Sequence, residues 1–115
     1  MSSVQKNKDF LRVLLKHKKT PGEIKKLMDI ATHGEIDACC EVYLNALKGN
    51  IHLTPRIARL LHKHRKQCEQ LINKKTGLSK KRKILKGQVG GFLPAILGLA
   101  APLLGTLVGA ITGRR

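Results

Sequence analysis

Apolar residues recur at spacings of three and four along most of residues 1–76, which places them on one face of an α-helix. Gly, Pro and Thr residues interrupt this pattern and divide it into segments. The pattern therefore predicts helices over 4–18, 21–32, 35–48 and 55–74. No stretch shows the sustained apolar–polar alternation of a half-buried strand, so the sequence predicts an all-α fold.

Short signals mark the ends of these predicted helices. Thr20, Pro21 and Glu23 have the spacing of a capping box, with Pro at the first helical position. A second Thr-Pro pair at Thr54 begins the long fourth helix, and Gly49 supplies a left-handed stop after the third. These residues are a clear signal for the start of a helix at Pro21.

The apolar face of each predicted helix gives an expected core. Leu47 and Leu60 are among its members, so replacing either with Ala is expected to cost about 2–5 kcal/mol. The expected core residues of the second, third and fourth helices are Ile24, Leu27, Met28, Ala31, Ile36, Cys39, Cys40, Tyr43, Ala46, Leu47, Ile57, Leu60, Leu61, His64, Cys68, Leu71 and Ile72.

The C-terminal part of the chain has a different pattern. Residues 87–113 contain no charged residue, and the run Phe92–Thr112 has no polar face. A helix of that length spans about 30 Å, the thickness of a bilayer core. A helix that is apolar on all sides is typical of lipid or of a deeply buried position, so the sequence predicts a membrane-compatible tail over 92–115.

Small residues and prolines refine this prediction. Glycine recurs at every fourth position near the end of the run, a spacing that lets helices approach closely in lipid and would allow the chain to self-associate. One proline lies in the first turn, and a second falls mid-run, where it would kink the helix. Burial within an oligomer or against a capsid is the alternative. The residues assigned to membrane contact and helix packing are Phe92, Pro94, Gly98, Pro102, Gly105, Gly109 and Gly113.

Charge is distributed unevenly along the chain. Residues 1–51 hold nine Lys or Arg against six acids, whereas residues 52–86 hold twelve against one. The formal net charge is +16, which favours a polyanionic partner, either nucleic acid or an anionic membrane surface. We divide the chain into a helical head (1–76), a basic linker with a short helix capped by Ser79 (77–91) and the apolar tail.

Lys and Arg on one helix face neutralise phosphates and release counterions, which gives salt-sensitive binding without sequence preference. The chain lacks the spacing of a zinc finger and the aromatic pair of an RRM, so base readout is not expected. DNA is the expected ligand. The run Lys80–Lys83 also fits a nuclear localisation signal or a clamp on anionic lipid. The candidate nucleic-acid-binding residues are Arg56, Arg59, Lys63, Lys66, Lys80, Lys81, Arg82, Lys83 and Lys86.

The sequence does not favour catalysis, a cofactor or a metal. Its histidines and carboxylates form no nucleophile, base and acid set. His64 and Cys68 lie one helical turn apart and could share a metal, but four ligands are not evident, and a packed, half-buried His64 is the alternative. The adjacent Cys39 and Cys40, with Cys68, make an odd number, which favours reduced, buried thiols in a cytosolic or nuclear setting.

Five short pieces follow one another along the chain: ALKGN (46–50), LTP (53–55), LLHKHRK (60–66), LSKKRKIL (78–85) and GGFLP (90–94). In their order and spacing they resemble a family of small basic proteins encoded by Maverick/Polinton elements and their adintovirus relatives. The similarity spans about residues 36–97, and residues 1–30 match less clearly, which leaves the role of the first helix open. The resemblance implies a virion component, comparable to the adenovirus core proteins that condense DNA and to adenovirus membrane-active factors, and no enzymatic motif.

Two hypotheses follow from the residues and the resemblance together. The first is a non-enzymatic virion protein that binds DNA through its basic face and contacts membrane or the inner capsid surface through its tail. It would be found in virions, in the host nucleus and at membranes. The alternative is a membrane-active or tail-anchored protein whose basic block binds anionic lipid.

Overall fold

The computed structural model describes residues 3–99 and 101. All regular secondary structure in this part of the chain is helical, which confirms the predicted all-α class. The helices are α1 (Ser3–Lys6), α2 (Lys8–Lys16), α3 (Pro21–Ile30), α4 (His33–Leu47), α5 (Pro55–Lys63), α6 (Arg65–Ile72), α7 (Leu78–Lys86) and α8 (Phe92–Leu99).

Helix α4 lies at the centre of the fold. It contacts α1, α2, α6, α7 and α8. Its buried residues, which include Ala38, Val42 and Tyr43, are distributed around most of its circumference, as expected for a helix enclosed by others. Leu47 is an exception to the predicted core: it is 39% exposed at the last position of α4, so its assignment to the core was wrong.

The first predicted helix is divided in two at Asn7, and both parts pack against α4. The Asn7 side-chain amide donates to the carbonyls of Ser3 and Gly34, at 3.0 and 3.2 Å, and so joins the break to the start of α4. The Val4 N–H donates to Glu41 Oε1 at 2.7 Å. These bonds give the N-terminal segment a packing role that the sequence left open.

The capping box lies at a different helix start from the one predicted. Thr20 makes no side-chain cap bond and instead donates its hydroxyl to the His17 carbonyl at 3.0 Å. The box forms at α4, where Glu35 N–H donates to Thr32 Oγ1 at 3.1 Å and Thr32 N–H donates to Glu35 Oε1 at 2.9 Å. Thr32 has the extended backbone that this geometry requires, whereas Thr20 does not.

Two other predicted boundaries are confirmed. Gly49 has a φ of +79°, and the N–H groups of Gly49 and Asn50 donate to the carbonyls of Ala46 and Asn45, which is the Schellman pattern. At α5, Ile57 N–H donates to Thr54 Oγ1 at 3.3 Å. The predicted cap at α7 is wrong: Ser79 lies inside the first turn, and Gly77 precedes the helix without a side-chain cap bond.

The long fourth helix is interrupted at His64, which separates α5 from α6. The ring of His64 stacks on Phe92 of α8, with centroids 5.0 Å apart and planes at 22°. His64 is half-buried, which agrees with the alternative to a metal ligand, a packed histidine. Helix α8 also contacts α5. The interruption therefore lies where α8 packs against this pair of helices.

The apolar run does not begin outside the head as the sequence suggested. Helix α8 contacts α2, α4 and α5, and Phe92, Leu93, Ile96 and Leu97 are all buried in the common core. A helix apolar on all sides can fill a protein interior as well as lipid, and periodicity alone does not separate the two. Within residues 3–99 and 101, no helix combines the length and apolar character needed to cross a membrane.

The seven residues assigned to membrane contact and helix packing lie in different environments, and some of them lie outside the described part of the chain. Phe92 is 5% exposed within the core, and Pro94 lies half-buried in the first turn of α8. Gly98 is exposed, with no atom within 4 Å of the position a Cβ would take, so it provides no close helix contact among the described residues. Pro102, Gly105, Gly109 and Gly113 lie outside the described residues.

Candidate nucleic-acid interface

Three of the predicted cations form a stripe on α5. Arg56, Arg59 and Lys63 are all exposed, and their spacing of three and four places them on one helix face. Ile57 and Leu61, on another side of the same helix, are buried in the core. The amphipathic pattern of α5 therefore fixes which side carries the charge.

The stripe continues past the interruption at His64. Lys66 is exposed in the first turn of α6, and a surface depression of about 680 Å³ is lined by residues on both sides of the break. Glu69 is the single acid that lines it. The local field around this depression is therefore dominated by positive charge.

The five predicted cations of α7 are not equivalent. Lys80 and Lys83 are exposed and lie one turn apart, whereas Lys81, Arg82 and Lys86 are half-buried against other helices. The buried Leu85 anchors α7 to the core and determines which side of the helix faces solvent. The dense basic run in the sequence is thus divided between two sides of one helix.

Arg82 caps the C-terminus of α3. Its Nη1 donates to the carbonyls of Met28, Ala31 and Asp29, at 2.5, 2.9 and 3.3 Å. The last carbonyls of a helix have no partner within the helix, and a cation there also interacts favourably with the helix dipole. Arg82 therefore holds α7 against α3, and its guanidinium is engaged within the fold.

Lys86 and Lys81 also face the protein. Lys86 Nζ forms an ion pair with Asp29 Oδ1 at the same end of α3. Lys81 lines a depression together with Asp37 and Glu41 of α4. It also lies near Cys40, whose pKa is raised by burial, and the Lys81 charge opposes that rise only in part. The structure thus places these two predicted ligands, with Arg82, beside protein carbonyls and carboxylates.

A pocket of about 550 Å³ lies between α6, α7 and the turn before α8. Its rim includes Lys80 and Lys83 from α7. His64 and Gln67 line both this pocket and the α5–α6 depression, so the two are adjacent. The remaining lining residues are Ile84, Gly87, Gln88, Gly90, Gly91 and Phe92.

A chain of polar side chains lies beside this pocket. Tyr43 donates its hydroxyl to Gln88 Oε1, and Gln88 Nε2 donates to Gln67 Oε1 at 3.3 Å. His64 Nδ1 lies 3.0 Å from the same Gln67 oxygen. Phe92 connects the two ends of this chain, because its ring stacks on His64 and also contacts the Tyr43 ring edge-on, with 5.5 Å between the centroids.

Sequence reasoning missed both glutamines of this chain. Gln88 is only 6% exposed, and among the described residues no other strongly polar or charged side chain is buried. The signal was available, because Gln88 is the one strongly polar side chain at the start of an uncharged run. A buried amide in that position requires hydrogen-bond partners, which the residues around it supply.

The three cysteines are buried and unbridged. Burial raises the pKa of the Cys68 thiol to about 11 and that of Cys40 to about 12, while the pKa of the fully buried Cys39 is raised further. The reactive thiolate form is therefore scarce near neutral pH. In the described part of the chain, no three His, Cys, Asp or Glu residues are grouped to hold a metal.

No protein-family model, curated protein or solved structure matches this chain.

Proposed function

We propose that this protein binds nucleic acid, and DNA in particular, through a surface that we call the basic face. The observation that carries the proposal is that six of the nine candidate cations are exposed on α5, α6 and α7, and that none of these six described side chains is held in an ion pair. The basic face consists of Arg56, Arg59, Lys63, Lys66, Lys80 and Lys83.

The chemistry of the basic face favours backbone contacts over base recognition. Lys and Arg that neutralise phosphates release counterions, and they bind all sequences alike. Self-repulsion among six neighbouring cations opposes folding, and a polyanion that covers them relieves it. Binding without sequence preference is the mode that this surface supports.

The biological setting we propose is a virion of a viral or virus-derived mobile element, with the protein bound to the genome and present in the host nucleus. This part rests on the resemblance to small basic proteins of Maverick/Polinton elements. No enzymatic role is proposed. Genes for a capsid protein, a packaging ATPase and a protease beside this gene would support the setting, and their absence would argue against it.

Contact with membrane or the inner capsid surface is a second candidate function, favoured by the apolar sequence that follows α8. Because Phe92, Leu93, Ile96 and Leu97 fill the core, this function would rely on the sequence after them. Removing residues 102–115 should abolish co-sedimentation with phosphatidylserine vesicles and leave DNA binding intact. If vesicle binding survives the deletion, the basic face is the lipid contact, which is the alternative hypothesis.

The direct test of DNA binding is a salt series. If each residue of the basic face neutralises one phosphate, log affinity should fall with log salt at a slope of about −5 for duplex DNA. Unrelated duplexes of equal length should bind with equal affinity. A slope near zero, or no binding at low salt, would reject the proposal.

A matched pair of variants separates the contribution of the basic face to DNA binding from the contribution of total net charge. Arg56→Gln/Arg59→Gln/Lys63→Gln removes three charges from α5 and should reduce the magnitude of the slope by about 2.7. Lys8→Gln/Lys16→Gln/Lys18→Gln removes three exposed charges from the N-terminal segment and should leave the slope almost unchanged. Equal losses in the two variants would show that total charge, and not this face, governs binding.

A further inference from the structure

We propose that the pocket between α6, α7 and the turn before α8 is a binding site for a single phosphate group. This inference rests on the proposed function, because a phosphate of the DNA backbone would be its natural occupant. It adds a defined position at which one phosphate is held within an otherwise diffuse basic face.

Two cations are placed to bind an anion in this pocket. Lys80 and Lys83 line it from the same side of α7, and neither forms an ion pair within the described residues. The other α7 cations with strong internal partners, Arg82 and Lys86, face α3 instead. Among the described residues that line the pocket there is no carboxylate that could compete for these two lysines.

The backbone of the turn is accessible from the pocket. Gly90 and Gly91 line it, both are exposed, and no atom lies within 4 Å of the position a Cβ would take at either residue. The N–H groups of Gly90 and Phe92 have no acceptor among the described residues. Because α8 begins at Phe92, its partial positive charge adds to that of the lysines.

The polar side chains beside the pocket are held in place. Gln88 is only 6% exposed. Its side-chain oxygen accepts a hydrogen bond from the Tyr43 hydroxyl, and its side-chain nitrogen donates one to Gln67. One N–H of the Gln88 amide is used in the bond to Gln67, which leaves the second N–H available. A tetrahedral oxyanion that accepts from lysines, an amide and backbone N–H groups matches this set of donors.

The test is a titration of the full chain, labelled with ¹⁵N-glycine, with sodium pyrophosphate. The chain has eleven glycines, so the amide signals of Gly90 and Gly91 can be followed individually. We expect these two signals to move with saturation. Scattered, non-saturating shifts, or shifts only at glycines that do not line the pocket, would overturn the inference.

Two variants with equal charge loss complete the test. Lys80→Gln/Lys83→Gln should weaken pyrophosphate binding about tenfold or more, because two charge-assisted contacts are removed. Arg56→Gln/Arg59→Gln should bind pyrophosphate as the unmodified protein does, within about twofold, and should still lose duplex affinity. Equal losses of pyrophosphate binding in the two variants would overturn the proposal that this pocket binds phosphate.

A short DNA duplex in place of pyrophosphate identifies the source of the phosphate. If the duplex reproduces the shifts of Gly90 and Gly91, the occupant is a backbone phosphate, and if only pyrophosphate does so, it is a free phosphate compound. Duplex binding without any response to pyrophosphate at these glycines would reject the pocket alone. A saturable response to pyrophosphate without duplex binding would reject the proposed function alone.

Discussion

The pair α5–α6 and helix α7 are similarly rich in Lys and Arg, yet they use these side chains differently. On α5 and the start of α6, the candidate cations all point into solvent, and the apolar side holds the helices to the core. On α7, Arg82 binds three carbonyls of α3, and Lys86 pairs with Asp29. Only Lys80 and Lys83 of that run are exposed.

The difference shows that the density of positive charge in a sequence does not identify the residues that bind a polyanion. A short amphipathic helix with basic residues on several sides has to direct some of them toward the protein. Those residues become stable parts of the fold only where carbonyls or carboxylates meet them, as at the end of α3. The basic residues left in solvent are the ones available to a ligand.

The largest loss of stability is expected when the packing of α7 against the core is weakened. Leu85 is fully buried and is the residue that anchors α7, so Leu85→Ala should lower the free energy of unfolding by about 2–5 kcal/mol. Leu47→Ala, at a position 39% exposed, should cost well under half as much. Urea denaturation of both variants would measure this, and equal costs would contradict the assigned orientation of the helices.

A pair of arginine variants tests the difference between the exposed cations of α5 and the inward cations of α7. Arg82→Gln should lower the free energy of unfolding by about 1–3 kcal/mol, because it removes charge-assisted bonds to half-buried carbonyls. Arg59→Gln, at an exposed position, should change stability by less than about 0.5 kcal/mol.

The same two variants should show the opposite order in DNA binding. Arg59→Gln should reduce the magnitude of the salt slope by about 0.9, and Arg82→Gln should leave the slope unchanged under conditions where the protein is folded. If Arg82→Gln were the stable variant and the weak binder, the division of α7 into inward and outward cations would be wrong.

A smaller loss of stability than at Leu85 or Arg82 is expected at the ion pair between α7 and α3. Asp29 is 52% exposed at its side chain and Lys86 is 29% exposed, so solvent and salt screen the pair. Lys86→Gln should cost about 0.2–1 kcal/mol, and a double-mutant cycle with Asp29→Asn should give a coupling energy in the same range. The coupling should decrease in high salt, and a value that does not depend on salt would contradict the assignment.

Local signals in the sequence predicted local features. The φ of Gly49 and the cap at Thr54 follow from residue chemistry within a few positions, and both predictions are confirmed. The Thr32 and Glu35 pair has the same spacing as the predicted box at Thr20, but the backbone before each helix decides which of them forms. That backbone depends on how the preceding segment packs.

Features that depend on packing between distant segments could not be predicted from the sequence. The bonds of Arg82 to α3 join residues more than fifty positions apart, and no periodicity within α7 points to them. The burial of Phe92 likewise depends on the space between α4 and the α5–α6 pair. For the candidate site, the sequence located the basic segments, and the packing selected the exposed residues among them.

On the proposal made above, the outward cations hold phosphates while the inward ones hold the protein together. Chemical acetylation of lysines, read by mass spectrometry with and without duplex DNA, tests it on the unmodified protein. We expect DNA to protect Lys63, Lys66, Lys80 and Lys83, while Lys81 and Lys86 should react slowly and equally in both samples. Uniform protection of all lysines, or protection at Lys81 and Lys86 instead, would contradict it.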